Sequence, residues 1–542
     1  MEYLIAHDIS YIHPDKEILF EKLDFSVQQP EKVAIIGNNG SGKSTFLKIL
    51  CGLCTQDKGS VKRSSIPYYI PQHFGQYNNC SIAEALQIEK KLNAFYKIEE
   101  GHTNTDLLSI LNEDWNIEER SQEALRQWGL TDLALDQKMD KLSGGEKTKV
   151  FLAGLLIHMP QIILLDESTN HLDIHGRNIF YNYVKTTENI LVTVSHDRVL
   201  LEMLHPVYEL KNSQLTMYGG NYSFFKEQKS KELKALKHKL KEKEKSLKTF
   251  RKTARDTIER KQRSDSRGTK KHKGNVPPVL LHQLRNKAQK SSSKLKAIHS
   301  DKIESISKEI LNIRKELPLI DEMRMNFNNT SIYLGKILVK AKSINFKFGS
   351  QKLWSAPISF EIKSGDRIII EGNNGTGKTT LIRLILGDLS PSEGSIKRSS
   401  FKSVYIDQEY SLIENQLTIY EQAQKYNDGA LQEHEIKIRL YRYLFDRKSW
   451  TKSCANLSGG EKMKLALCCL MISASSPDIF VLDEPTNNLD IQNIEILTSA
   501  VQSYEGTIIV VSHDSKFLKD IGINRKIEIK NRRILCSESY RL

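Results

Sequence analysis

Long apolar runs are the first thing this chain lacks. Nowhere in its 542 residues does a stretch approach the roughly 18 uncharged apolar residues that a membrane-spanning helix needs. The opening Met1-Glu-Tyr-Leu-Ile-Ala-His-Asp8 has no signal-peptide pattern, so the expectation is a cytoplasmic protein with no membrane partner. Cysteine is sparse too: seven in this length do not make a disulfide framework. Cys51-Gly-Leu-Cys54 has half of a zinc or redox spacing, but no second pair complements it, and it reads as packing. Acid is scarce in one place. Between Lys226 and Glu316 stand 29 Lys and Arg against 11 Asp and Glu, an excess of +18 in a chain whose total is +14. Everything outside that stretch is therefore slightly acidic, and the basic character belongs to one arm.

The same stretch carries two narrow apolar stripes. Leu233, Leu236, Leu240, Leu247 and Phe250 recur at spacings of three, four and seven; Ile303, Ile306, Ile310, Ile313 and Leu317 do so on the far side. A stripe that narrow cannot fill a globular core, but two can zip into an antiparallel helical hairpin. Its tip would hold Gly268-Thr-Lys-Lys-His-Lys-Gly-Asn-Val-Pro-Pro278 away from what the hairpin joins. A charge-laced linker explains the stripes alone; one sign of charge on both helices and the tip favours a polyanion partner.

Before the arm, the apolar Lys32-Val-Ala-Ile-Ile36 leads into Gly37-Asn38-Asn39-Gly40-Ser41-Gly42-Lys43-Ser44-Thr45 and then a helical Phe46-Leu-Lys-Ile-Leu50. Strand, glycine-rich turn and helix form the context of a phosphate-binding loop. Successive backbone N–H groups can wrap phosphates there, Lys43 reaching the β- and γ-phosphates and Ser44 ligating Mg²⁺. After the arm the pattern returns: Arg367-Ile-Ile-Ile370, then Gly372-Asn373-Asn374-Gly375-Thr376-Gly377-Lys378-Thr379-Thr380. Each half then has an apolar strand ending in paired carboxylates, Asp166-Glu167 and Asp483-Glu484. The first carboxylate of such a pair holds Mg²⁺ and the second can polarise the attacking water. Further pairs occupy matching places: Ser143-Gly144-Gly145 and Ser458-Gly459-Gly460, Gln72 and Gln408, His196 and His513.

That ordered set resembles the ATP-binding-cassette ATPases, and specifically their ABC-F class, in which two cassettes share one chain without membrane helices. The resemblance covers essentially the whole sequence. It implies an α/β fold of two tandem ABC ATPase domains, each a P-loop NTPase core with a helical subdomain, at 1–220 and 331–542. A long antiparallel helical hairpin at 221–318, its tip near 263–284, would join them. The cassettes would close face to face as an intramolecular pair in a monomer, with ATP and Mg²⁺ as cofactors. Lys43, Gln72, Asp166, Glu167 and His196 would then work opposite Ser458-Gly-Gly460, and Lys378, Gln408, Asp483, Glu484 and His513 opposite Ser143-Gly-Gly145. Ser44, Gln72 and Asp166, with Thr379, Gln408 and Asp483, would be the metal-side groups. Phe348 would stack on adenine in the second half; the equidistant position in the first is His13, with Tyr11 nearby.

Two departures stand out. Ser168 replaces the proline found at Pro485 after the second acidic pair. The interval from Gln72 to Ser143 also exceeds that from Gln408 to Ser458 by 21 residues, an excess placed between Lys90 and Glu119. It is either an enlarged helical subdomain, the favoured reading, or a small docking arm. The resemblance implies a ribosome partner, through rRNA and P-site tRNA, with Lys270, Lys271 and Lys273 as RNA contacts. The favoured expectation is an antibiotic-resistance member that binds the tRNA exit site and protects the peptidyl-transferase centre or adjacent exit tunnel, leaving on ATP hydrolysis. A housekeeping translation factor is the alternative, and a transporter motor subunit the third reading.

Overall fold

The computed structural model describes residues 2–14, 16, 18–102, 104–131, 133–271, 278–316, 335–373, 375–429, 431–473, 476–530 and 532–537. They form two compact units. One comprises Met1–Ser223 with Glu322–Leu542, and the other Phe224–Asp321.

In the first cassette, five parallel strands run in the order Tyr68–Ile70, Ile162–Asp166, Ile190–Val194, Lys32–Ile36 and Val207–Lys211, with Gln214–Tyr218 antiparallel at the edge. Ile162–Asp166 and Ile190–Val194 are buried at every position, as near-continuous apolar runs must be when both faces are covered. The helix Lys43–Cys51 lies in the cluster that joins this sheet to a second one, where Tyr3–Ile12 pairs with Ile18–Gln28 and Lys58–Arg63. Phe46, Leu47 and Leu50 close the gap against Leu4, Phe20, Phe25 and Val33. Cys51 and Cys54 pack partly buried on the same cluster.

The second cassette repeats the plan. Its large sheet runs Ser403–Ile406, Ile479–Asp483, Thr507–Val511, Arg367–Gly372, Arg525–Lys530 and Arg533–Ser537, and Ile337–Asn345 is the central strand of its three-stranded sheet. This topology explains why distant motifs converge. The phosphate loop follows one parallel strand; the glutamine, the acidic pair and the histidine follow three others. All four lie at the carboxyl edge of one sheet, where open α/β folds bind ligands.

The excess segment of the first cassette forms helices Glu89–Glu99, Thr105–Leu111 and Ile117–Gln127. Asp114 accepts from Lys91 at 2.9 Å and Arg120 at 2.8 Å, while Leu92, Leu111 and Ile117 are buried. The last of these helices packs on Gly144–His158, so the segment enlarges the helical subdomain. Leu108, Ile110 and Trp115 remain exposed on it.

In the other unit, the helix Tyr222–Lys271 is followed by Pro278–Glu316. They pair antiparallel: Lys243 meets Glu309 at 2.6 Å, Arg314 meets Glu244 at 2.6 Å, and the Phe250 ring contacts His299 edge-on. Ile306, Ile310 and Ile313 are buried and Leu233, Leu236, Leu240, Leu247 and Ile303 partly so, which is the seam the two stripes require. Leu317 lies outside the described residues. Helix continues through Gly268 to Lys271, further than the glycine suggests, because α propagation tolerates one glycine at about 1 kcal/mol. Ile310→Ala should cost the seam about 2 kcal/mol and speed proteolysis of the hairpin ahead of the cassettes. Equal cleavage rates in both proteins would show that the seam does not hold the helices together.

Candidate functional site

Each phosphate loop hands its strand to a helix through a left-handed glycine. Gly42 has φ +95° and Gly377 φ +96°, and they are the N-caps of Lys43–Cys51 and Lys378–Leu386. A Cβ at Gly42 would sit 2.6 Å from the Phe20 ring, so both sterics and φ demand glycine there. Lys43 is buried, its Nζ donating to the oxygens of Gly37 at 2.8 Å and Asn38 at 3.0 Å. Lys378 does the same toward Gly372 at 2.7 Å and Asn373 at 3.2 Å. Burial depresses both ammonium groups, and the nearby acidic pairs oppose it. Asn374 lies outside the described residues.

The acidic pairs face those lysines. Asp483 Oδ2 accepts from Thr379 at 3.3 Å and from the Tyr405 hydroxyl at 2.9 Å; Asp166 Oδ2 accepts from the Tyr69 hydroxyl at 3.2 Å. Burial pushes both aspartate carboxyls up, and the hydrogen bonds from Ser44 to Asp166 and from Tyr405 to Asp483 pull the other way. Oδ1 of Asp166 is buried with no protein partner. Among the described residues no group of three or more His, Cys, Asp or Glu could hold a metal alone. One carboxylate with a spare oxygen beside a hydroxyl suits Mg²⁺, which completes its shell with water and phosphate oxygens. Gln72 is partly buried and Gln408 exposed at the mouth of the second site.

Glu167 and Glu484 sit in left-handed backbone, φ 53° and 48°, each fixed by its N–H donating 2.8 Å to Val194 O or Val511 O. Such strain in a non-glycine residue persists only where surroundings over-determine it. It aims each carboxylate at its histidine: His196 Nε2 is 3.0 Å from Glu167 Oε1, and His513 Nε2 is 3.2 Å from Glu484 Oε1. Burial raises the Glu484 carboxyl to about 7 against the charges of Lys378 and Arg177. Burial, then those same two cations, lowers His513 to about 3, so its imidazole is neutral.

Ser143 and Ser458 cap the helices Gly144–His158 and Gly459–Ile472 in capping boxes closed by Glu146 and Glu461. Gly144 and Gly145 line a cavity of about 670 Å³ together with Lys378, Thr379, Thr380, Gln408, Asp483, Glu484, His513 and Phe348. Phe348 is 63% exposed and braced edge-on by Phe346, leaving a ring face open to a planar ligand. At the other site, Asn39 N donates to Asp490 Oδ2 and Asn39 Nδ2 to Asn488 O, both at 3.1 Å, and Asn488 O adjoins Gly459. The second phosphate loop thus shares a cavity with the first cassette's serine-glycine helix, and the first loop meets Asn488 and Asp490 of the second cassette. His13 is exposed, and Tyr11 packs on Phe20. Lys270 and Lys271 fall in the last turn of their helix; Lys273 lies outside the described residues.

Three site residues escape sequence reading. Tyr69 and Tyr405 each stand three places before the singled-out glutamine, and that repeated spacing could have found them. Arg177 has no such signal.

Residues 20–170 and 355–487 match the family model described as "ABC transporter". The uncharacterised ATP-binding protein YfmM of Bacillus subtilis is 30% identical over 96% of this chain and 97% of its own. The ribosome protection protein VmlR of Bacillus subtilis is 28% identical, covering 98% and 87%. Among solved structures, an RNase-L inhibitor superposes with a TM-score of 0.58 at 19% identity, over 96% of this chain and 87% of that one. Among the described residues no helix is long and apolar enough to cross a membrane.

Proposed function

This chain belongs to the ATP-binding-cassette family, as an ABC-F ATPase with two cassettes in tandem, and we propose that it protects the ribosome from antibiotics. On this reading it acts in the cytoplasm as a monomer. It binds at the tRNA exit site and reaches with its hairpin toward the peptidyl-transferase centre or adjacent exit tunnel. The observation that carries the reading is the +18 excess on a helical pair that follows one ATP-binding cassette and precedes the other. The name of the VmlR relative supports it. The third reading, a transporter motor, gains nothing from a basic hairpin in that place.

The chemistry divides among the chain's own residues. Lys43 and Lys378 would neutralise phosphate charge, while Asp166 and Asp483, with Ser44 and Thr379, would hold the metal. Mg²⁺ supplies further neutralisation of the β- and γ-phosphates when bound. Glu167 and Glu484 polarise the attacking water beside neutral His513 and its counterpart His196. The serine-glycine helix of the opposite cassette offers N–H donors to the phosphates, so ATP favours the closed pair by binding it more tightly. Closure sets the ribosome-binding state, and hydrolysis ends it. Drug removal then needs no chemistry on the drug.

Affinity for RNA would come from phosphate contacts along the arm and should fall steeply with salt. Replacing Lys270, Lys271 and Lys273 by Gln should flatten the log–log salt slope by about 2–3 units in ribosome co-sedimentation. An unchanged slope would take these lysines off the RNA. The decisive test is a drug-susceptibility panel in cells expressing the protein, an empty vector, or a variant deleted for 269–276. Protection against peptidyl-transferase and exit-tunnel drugs should vanish in the deletion while ATP turnover survives. No protection by the intact protein would leave the housekeeping translation factor as the better reading.

A further inference from the structure

The two ATP sites differ in what the opposite cassette brings to them. Asp173 and Asp490 cap matching helices, Ile174–Thr186 and Ile491–Ser503, donors being Gly176 N and Asn493 N at 2.8 Å. Four residues past each cap the halves part: Arg177 stands in the first helix and Ile494 in the second. The Arg177 side chain is only 12% exposed. Its Nε donates to Leu172 O at 3.2 Å, and Nη1 to Asp197 Oδ2 at 3.4 Å. Nη1 also lies 3.5 Å from the backbone oxygen of His513, in the other cassette.

Arg177 lines the same cavity as Lys378, Glu484 and His513. A second arginine bridges nearby, Arg198 Nη1 reaching Asp520 Oδ2 at 3.6 Å. Its counterpart in the second half is Ser515. Both guanidinium groups come from the first cassette and reach the second. Ile494, buried at 2% exposure, has no donor to return the contact.

A buried guanidinium is costly unless its charge is balanced, and Asp197, itself taking the Tyr181 hydroxyl, supplies that balance from home. What reaches across is therefore a fixed donor, oriented before the cassettes meet. We propose that Arg177 is a positioning residue acting in trans on the second ATP site. By holding the His513 carbonyl it fixes the loop that carries the imidazole beside Glu484, and ties that geometry to cassette closure. His196 and Glu167 receive no such tether from Ile494, so the two sites are kinetically unequal. This inference rests on the assignment of Glu167 and Glu484 as the water-polarising residues.

The test uses purified full-length protein with Mg²⁺-ATP. R177I copies the second half's own residue. Combined with E167Q, which leaves turnover to the second site, it should lower kcat about tenfold at an unchanged half-saturating ATP concentration. Combined with E484Q, which leaves turnover to the first site, it should change kcat by less than about twofold. In the otherwise unmutated protein, kcat should fall at unchanged half-saturation. R177K, which keeps a donor for the carbonyl, should recover part of each loss. Equal losses in both backgrounds, or a raised half-saturation with unchanged kcat, would mark Arg177 as general seam packing and overturn the proposal. So would no effect with E167Q. Should R177I unfold in a melting curve, R177K and R177Q carry the same comparison. If E167Q and E484Q each retain the wild-type rate, the glutamate assignment has failed; Arg177 is then judged on the unmutated background alone.

Discussion

Replacing Glu167 and Glu484 together by glutamine lowers ATP turnover by about 10²–10⁴-fold and leaves ATP binding intact. Glutamine keeps the volume and the left-handed backbone that Val194 and Val511 anchor, so the fold of each site survives. What goes is the carboxylate proposed to accept a proton from water. Glu484, buried and raised to about 7 beside a neutral His513, has the environment of a general base, because its proton affinity lies near the working pH. Phosphate release gives the rate and a fluorescent ATP analogue gives the affinity. If hydrolysis reopens the pair, as proposed, the same variant should stay on ribosomes in ATP and block translation. Turnover at the wild-type rate would remove both glutamates from the mechanism.

Lys43→Ala with Lys378→Ala should act one step earlier and weaken ATP binding at both sites. Each ammonium is held by two loop carbonyls, so it is in place before the phosphates arrive. Charge-assisted hydrogen bonds contribute about 1.5–3 kcal/mol each, so affinity at either site should fall by at least about tenfold to a hundredfold. The loop carbonyls also lose a buried donor, which adds disorder to the phosphate cradle. Titration calorimetry reads the loss directly. The two double variants are distinguishable: one binds ATP and stalls, the other never closes. Tight ATP binding by the lysine variant would mean that backbone N–H groups suffice to hold the phosphates.

Much of this was legible in the chain because phosphate chemistry imposes short linear patterns. A loop must wrap phosphates within a few residues, and a catalytic pair must end a buried strand. Hence Gly37–Thr45 and Asp166-Glu167 announce themselves, and duplication in the second half removes the alternatives. The hairpin was legible for another reason: Ile306, Ile310 and Ile313 recur at helical spacing in a segment too charged for a core. Contacts made across the fold leave no such trace. Arg177, which reaches His513 across 336 positions, has no repeated spacing to mark it. At the positions expected to stack on adenine, Phe348 opens on the cavity, whereas His13 is exposed and Tyr11 packs on Phe20. The extra segment showed its length but not its packing, since Asp114 draws Lys91 and Arg120 together from either side.

The carboxylate of Asp490 serves two masters. One oxygen caps its own helix through Asn493 N, and the other takes the N–H of Asn39 in the opposite cassette's phosphate loop. Asp173 in the equivalent place gives its second oxygen to Lys149 of its own cassette. The seam is therefore latched on one side by a residue that also stiffens a helix end. Parting the cassettes there strips Asp490 of a partner, and fraying that helix loosens the latch, so the two events are thermodynamically coupled. On the Asp173 side the corresponding carboxylate is already satisfied at home. The two sides of the seam are thus fastened by different groups, a shared carboxylate on a loop N–H at one and the Arg177 guanidinium on the His513 carbonyl at the other.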